Sequence, residues 1–149
     1  MDILLHQGVP FFIHHWPLFV SLVLLLIVIL VFELQAKAKG PAIIDPSTAV
    51  EWMNHQSAIV IDIRDKEAFR KGHIIHSQSI EPAHVVSTVT DEKQAEKYRD
   101  KPILLVCAQG VSAQKTAVLL QKEGIEKVAV LKGGIQAWTA ADLPLEKNK

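Results

Sequence analysis

Ile103–Gly124, ILLVCAQGVSAQKTAVLLQKEG, decides how the chain is read. Ile103-Leu104-Leu105-Val106 is a continuous apolar run of the length of a buried strand. The following pattern is helical, with Ala113, Ala117, Leu120 and Val118 expected on one face and Gly124 as the C-terminal cap. Between strand and helix lies Cys107, the one cysteine of the chain, followed by Ala108-Gln109-Gly110-Val111-Ser112. A thiol there stands at the carboxyl end of a strand, where open α/β sheets hold their ligands. It also faces a helix N-terminus, whose free N–H groups and dipole favour a thiolate. The stretch predicts a reactive cysteine in a backbone cradle.

The rest of the composition narrows the classes. The chain has 149 residues, enough for one domain of ordinary size and an additional segment. Its 16 basic and 16 acidic side chains balance, which gives no electrostatic basis for binding nucleic acid. A single cysteine forms no internal disulfide, and the seven histidines are scattered without chelating spacing, so no metal site and no cofactor are expected.

The apolar residues are concentrated before residue 33. From Trp16 to Leu34, 19 residues, the only charge is Glu33. As a helix that length covers ~28 Å, about the hydrocarbon thickness of a bilayer. Pro17 fits a first helical turn, and Trp16 suits the membrane interface. Residues 16–34 are therefore expected to cross a membrane, after a short extracytoplasmic segment, 1–15. That segment carries Asp2 but no Lys or Arg, whereas Lys37 and Lys39 come just after the helix, so the chain beyond residue 35 is expected on the cytoplasmic side. Ala36-Lys37-Ala38 resembles a signal-peptidase site, but the leading segment lacks positive charge and the apolar run exceeds a usual signal core. Residues 35–41, QAKAKGP, read as a short linker.

Beyond it, strands and helices alternate. Ala42–Ile44 is an expected strand, followed by Asp45-Pro46 as cap and first turn of a helix through His55. Ala58–Ile63, rich in β-branched residues, is an expected central strand. Arg64–Gly72 is too charged for a core element and reads as a loop with one helical turn. Ser79-Ile80 is a short strand. His84–Thr88 and Glu92–Tyr98 are short helices, the stretch from Asp91 to Lys101 presenting a solvated face. Ile103–Cys107 is the next strand, Ser112–Glu123 the longest helix after the apolar segment, and Val128–Leu131 a further strand. Gly133-Gly134 then turns into a last helix, Ile135–Ala140. Such alternation predicts an α/β fold, a parallel sheet flanked by helices on both faces.

Four motifs in order give a family resemblance. These are Asp62-Ile63-Arg64 after the second strand, Phe69-Arg70-Lys71-Gly72-His73-Ile74, the loop from Cys107 to Ser112, and Leu131-Lys132-Gly133-Gly134 with Trp138 and Leu143-Pro144. Residues 42–146 resemble a single-domain rhodanese, and with the apolar segment the whole chain resembles a membrane-anchored rhodanese of the bacterial cell membrane. The resemblance implies a sulfurtransferase in which Cys107 takes sulfane sulfur from a donor as a persulfide and passes it to a nucleophilic acceptor. It implies Ala108, Gln109, Gly110, Val111 and Ser112 as the substrate-binding loop. Asp62, Arg64 and Lys115 are supporting residues, Asp62 and Arg64 holding the loop from behind.

Physics bears on the same residues. Successive N–H groups of the loop can converge on an anionic sulfur, and Gly110 permits the close approach this needs. Ser112 can donate a hydroxyl and is expected to cap the following helix. Many members carry arginine where this chain has Ser112, so the mouth is less cationic. Weak thiosulfate turnover is expected, with Lys115 as partial substitute and a persulfide as the better donor. Cysteine phosphatases need arginine six residues after the cysteine; here that residue is Ala113, which argues against phosphoryl chemistry. His73, Trp52 and Trp138 are expected to be architectural. The competing expectation is a binding module that docks on a membrane-protein partner such as an insertase or transporter, with little catalysis.

Overall fold

The structure, a computed structural model, describes residues 3–38, 40–98 and 100–147. Asp2 and Lys39, used above for orientation, and Arg99 of the solvated stretch lie outside the described residues. The chain divides into two compact units, Met1–Gly40 and Pro41–Lys149.

The first unit is one helix, α1 (Ile3–Ala38), 36 residues long. At 1.5 Å per residue it extends ~54 Å, longer than the expected 16–34 span. Pro17 therefore lies in the helix interior rather than in its first turn, and residues 35–38 of the expected linker are helical. Each proline removes one backbone donor without removing the apolar residues that continue the helix on either side, and apolar helices of the membrane type tolerate such interruptions. The Trp16–Glu33 window is exposed throughout and is, among the described residues, the one candidate membrane span.

The second unit is built on a five-stranded parallel sheet, β1 (Ala42–Ile44), β2 (Ile59–Asp62), β3 (Gln78–Ser79), β4 (Ile103–Val106) and β5 (Val128–Leu131), in the order β1-β5-β4-β2-β3. The connecting helices are α2 (Pro46–His55), α3 (Lys66–Lys71), α4 (Pro82–Thr90), α5 (Glu92–Tyr98), α6 (Val111–Lys122) and α7 (Gly134–Ala140). Every residue of β2, β4 and β5 is buried, as a parallel sheet covered on both faces requires. The period-two alternation of β4 sends Ile103, Leu105 and Cys107 into one core, with Val85 and Val89 of α4 and Ala113, Ala117 and Leu120 of α6. It sends Leu104 and Val106 into the other, with Ala49 of α2 and Ile135 and Trp138 of α7.

Several boundaries differ from the expectations. Val118 does not share the buried face of α6; it is exposed, and Thr116 is buried with Ala113, Ala117 and Leu120. The reason is angular: Val118 lies five residues past Ala113, well round the helix, whereas Thr116 lies three past it. α4 begins at Pro82 rather than His84, because proline is pre-set for the first helical turn. β3 lies one residue earlier than expected. The charged segment 64–72 contains the six-residue α3, nucleated by the Asp65 carboxylate accepting the Ala68 N–H at 2.7 Å.

The order places the site. From β2 the chain steps outward to β3, while from β4 it steps the opposite way to β5. The carboxyl ends of β2 and β4 thus flank a topological switch point, where open α/β sheets leave a crevice.

Candidate active site

Cys107 comes directly after β4 and is 3 % exposed, at the base of an open pocket of about 290 Å³. Ala108, Gln109, Val111, Ser112 and Lys115 complete the lining. The Gly110 N–H donates to Sγ at 3.0 Å. Burial pushes the thiol pKa up, but the Ser112 hydroxyl and the N–H groups of Ala113, Gln109 and Gly110 outweigh it, so the net direction is down from the ordinary value. The cysteine contributes to the core and yet presents to an open pocket a thiol that ionises more readily than an ordinary one.

One of these donors, the Gln109 N–H, is oriented from outside the loop. At the start of α7, the Ile135 N–H donates to the Cys107 carbonyl at 2.9 Å and the Gln136 N–H to the Ala108 carbonyl at 3.4 Å. A trans peptide carries its N–H opposite its C=O, so holding the Ala108 carbonyl on α7 turns the Gln109 N–H toward the thiol. This requires α7 to lie against the loop. A Cβ on Gly134 would come 2.1 Å from the Cys107 carbonyl oxygen and 2.7 Å from the Ala108 carbonyl carbon. A Cβ on Gly110 would meet the Gly133 nitrogen and the Leu131 oxygen, each at 3.0 Å. Gly110 is thus glycine for its contact with the Gly133-Gly134 turn, not only for approach of a substrate.

Two sequence expectations change here. Ser112 is not the cap of α6: the cap position is Gly110, and Ser112 lies inside the first turn, which leaves its hydroxyl for the thiol. Asp62 and Arg64 do not reach the cysteine loop through their side chains. The Arg64 guanidinium lies 2.6 Å from the 1 %-exposed Asp62 carboxylate and donates to the Gly72 carbonyl at 2.7 Å. Pulling Arg64 toward a substrate would strand a buried carboxylate, a loss of ~3–5 kcal/mol by precedent for broken buried pairs. The pair therefore ties the end of α3 to the end of β2. β2 in turn steadies β4, where the Ile63 N–H donates to the Val106 carbonyl at 2.9 Å.

His73 is buried, stacks on Phe69 at 3.9 Å and points Nδ1 at the Phe69 carbonyl, 2.9 Å away, which makes it architectural. Trp138 is buried, with Nε1–H donating to the Pro144 carbonyl at 3.1 Å, and Trp52 packs partly buried against the same core. The groups the sequence reading missed are Gly134, the amides of Ile135 and Gln136, and the Ala113 N–H. The only signal for them was the Gly133-Gly134 pair.

The profile of the rhodanese-like domain family matches residues 45–141. The chain belongs to the rhodanese-like family. Over nearly its full length the chain is similar to uncharacterized protein YibN of Escherichia coli (strain K12), 33 % identical over 135 residues, 91 % of this chain and 93 % of that one. The rhodanese domain is 33 % identical over 103 residues to the thiosulfate sulfurtransferase GlpE of Glaesserella parasuis, which covers 69 % of this chain and 91 % of the relative. Among solved structures, the rhodanese-like domain of Anabaena protein Alr3790 superposes with a TM-score of 0.59 at 25 % identity, over 74 % of this chain and 81 % of that one. A thiosulfate sulfurtransferase from Pseudomonas aeruginosa gives 0.59 at 26 % identity, over 74 % of this chain but 20 % of its own. The rhodanese domain thus belongs to a family that includes thiosulfate sulfurtransferases.

The lowered thiol predicts a pH profile. A depressed pKa means more thiolate at a given pH, so alkylation of Cys107 by iodoacetamide should reach half its plateau at a lower pH in the folded chain than in urea. Ser112→Ala should move the folded midpoint upward. Midpoints that coincide in folded and unfolded chains would contradict the cradle.

Proposed function

We propose that the protein is a membrane-anchored sulfurtransferase that carries sulfane sulfur as a persulfide on Cys107. The observation that carries the reading is the Gly110 N–H donating to the Cys107 sulfur at 3.0 Å where the thiol lines an open pocket, with the Ser112 hydroxyl and the neighbouring amides drawing the thiol pKa down. The same donors serve both forms of the cycle, the attacking thiolate and the bound persulfide anion.

Cys107 is the nucleophile, and residues Ala108 to Ser112 form the cradle. Lys115 supplies charge at the mouth, and Asp62 with Arg64 supports the strand ends. Residues 16–34 span the bacterial cell membrane, and 42–146 form the rhodanese domain on the cytoplasmic side, where a free thiol survives to be loaded. With serine in place of the usual arginine, a dianion such as thiosulfate is held weakly, so an organic or protein-bound persulfide is the better donor.

The test uses the purified full-length protein in detergent, treated with thiosulfate or an organic persulfide and analysed by intact mass and peptide mapping. The expected result is the gain of one sulfur atom on Cys107, discharged by cyanide as thiocyanate, and faster with the persulfide. Absence of both the adduct and the thiocyanate overturns the proposal.

A further inference from the structure

Lys115 is the one charged residue among those lining the pocket. Among the described residues its side chain takes part in no ion pair or hydrogen bond. Its helical neighbours at three and four residues, Ser112, Val118, Val111 and Leu119, carry no carboxylate, and α6 has none from Val111 to Lys122. The ammonium is therefore an uncompensated charge at the pocket mouth. It lies four residues beyond Val111, one turn and about 6 Å further along the helix axis. The rest of the lining is uncharged, with Ala108 exposed and Val111 66 % exposed beside the polar Gln109 and Ser112.

The site thus offers anion-stabilising donors, a short uncharged rim and one cation. We propose that it selects a small organic persulfide whose thiol carrier bears a carboxylate, with Lys115 as the residue that reads that carboxylate. The inference rests on Cys107 being the sulfur carrier. One exposed ammonium matches one monoanion set a few bonds from the transferred sulfur. A compact dianion would place both charges in the cradle, where no second cation lines the pocket. Lysine also recognises a carboxylate as a point charge and needs no fixed fork geometry, which suits an open site.

The transfer balances without a further reagent. The Cys107 thiolate attacks the outer sulfur of R–S–SH, the donor S–S bond breaks, and a new bond forms between Sγ and that sulfur. The electron pair leaves with R–S⁻, and the proton remains on the transferred sulfur. One thiolate and one persulfide stand on each side.

The experiment compares mercaptopropionate persulfide with the neutral mercaptopropanol persulfide on the full-length protein in detergent, reading the ratio of kcat/KM for sulfur loading of Cys107. An exposed ion pair predicts a ratio of about fivefold in favour of the carboxylate, shrinking as salt is added. Lys115→Gln should bring the ratio close to one, Lys115→Glu should invert it, and Lys115→Arg should preserve it. The ratio is insensitive to the fraction of active protein, and the salt series on the unaltered chain needs no variant. Loading by both donors with no preference, or a preference unchanged in Lys115→Glu, overturns this inference alone. Loading by neither overturns the sulfurtransferase reading and this inference with it.

Discussion

Cys107→Ser is expected to lower sulfur loading and thiocyanate formation by about a thousandfold or more, the scale on which removing an enzyme's nucleophile is felt. Serine keeps the shape, and its oxygen can still accept the Gly110 N–H that reaches Sγ at 3.0 Å. What it lacks is a readily ionised thiol and the capacity to hold a second sulfur atom. The fold should survive, with stability altered by about 1 kcal/mol or less, since one modest hydrogen bond replaces another. Mass spectrometry and urea unfolding of the same preparation separate the two effects. Retention of a tenth of the transfer rate by a folded variant would remove Cys107 from the chemistry. Co-purification of a membrane-protein partner in detergent that is undiminished in Cys107→Ser would favour the docking-module reading, in which partner binding does not need the thiol.

Gly134→Ala should be the most damaging small substitution away from the cysteine. The position has φ +58°, where an alanine costs roughly 1–2 kcal/mol in backbone strain. The new Cβ would also sit 2.1 Å from the Cys107 carbonyl oxygen, so the loop or α7 must move, which adds about 1–3 kcal/mol for overpacking. The total, roughly 2–5 kcal/mol, is a large part of an ordinary domain stability of about 5–15 kcal/mol. Gly124→Ala is the control, because φ there is +88° and nothing lies within 4 Å of the added Cβ. The expected result is a clear fall in urea midpoint for Gly134→Ala and a much smaller one for Gly124→Ala. The alkylation midpoint of Cys107 should move up only in the former, as the Ala108 carbonyl is pushed off α7 and the Gln109 N–H turns from the thiol. Equal losses in both variants would show that backbone strain, not the contact with the loop, is what Gly134 relieves.

Residues 103–124 disclosed a strand, a cysteine and a helix in order because each signal is local. A run of apolar residues, a change to helical period and a closing glycine are all written within a few positions. The four family motifs are legible for the same reason, and so is the uncharged run after Trp16. Where the reading failed, the deciding partner lay far along the chain or across an element boundary. Ser112 has the chemistry of a cap, but Gly110 takes that position and leaves the hydroxyl to the thiol. Asp62 and Arg64 are expected from the sequence to hold the cysteine loop, but they pair with each other, and the guanidinium reaches the Gly72 carbonyl instead.

The sequence by itself determined the α/β alternation, the family, the identity of the candidate nucleophile and the absence of an arginine beside it, since these depend on residue type and spacing. Only the tertiary structure decided which way the loop amides point. That direction is set where α7 meets the Cys107 loop, two segments separated by the whole of α6 and β5 and brought together by the pairing of β4 with β5. Holding the Ala108 carbonyl on the end of α7 turns the Gln109 N–H toward sulfur, and no local pattern in the loop records that contact.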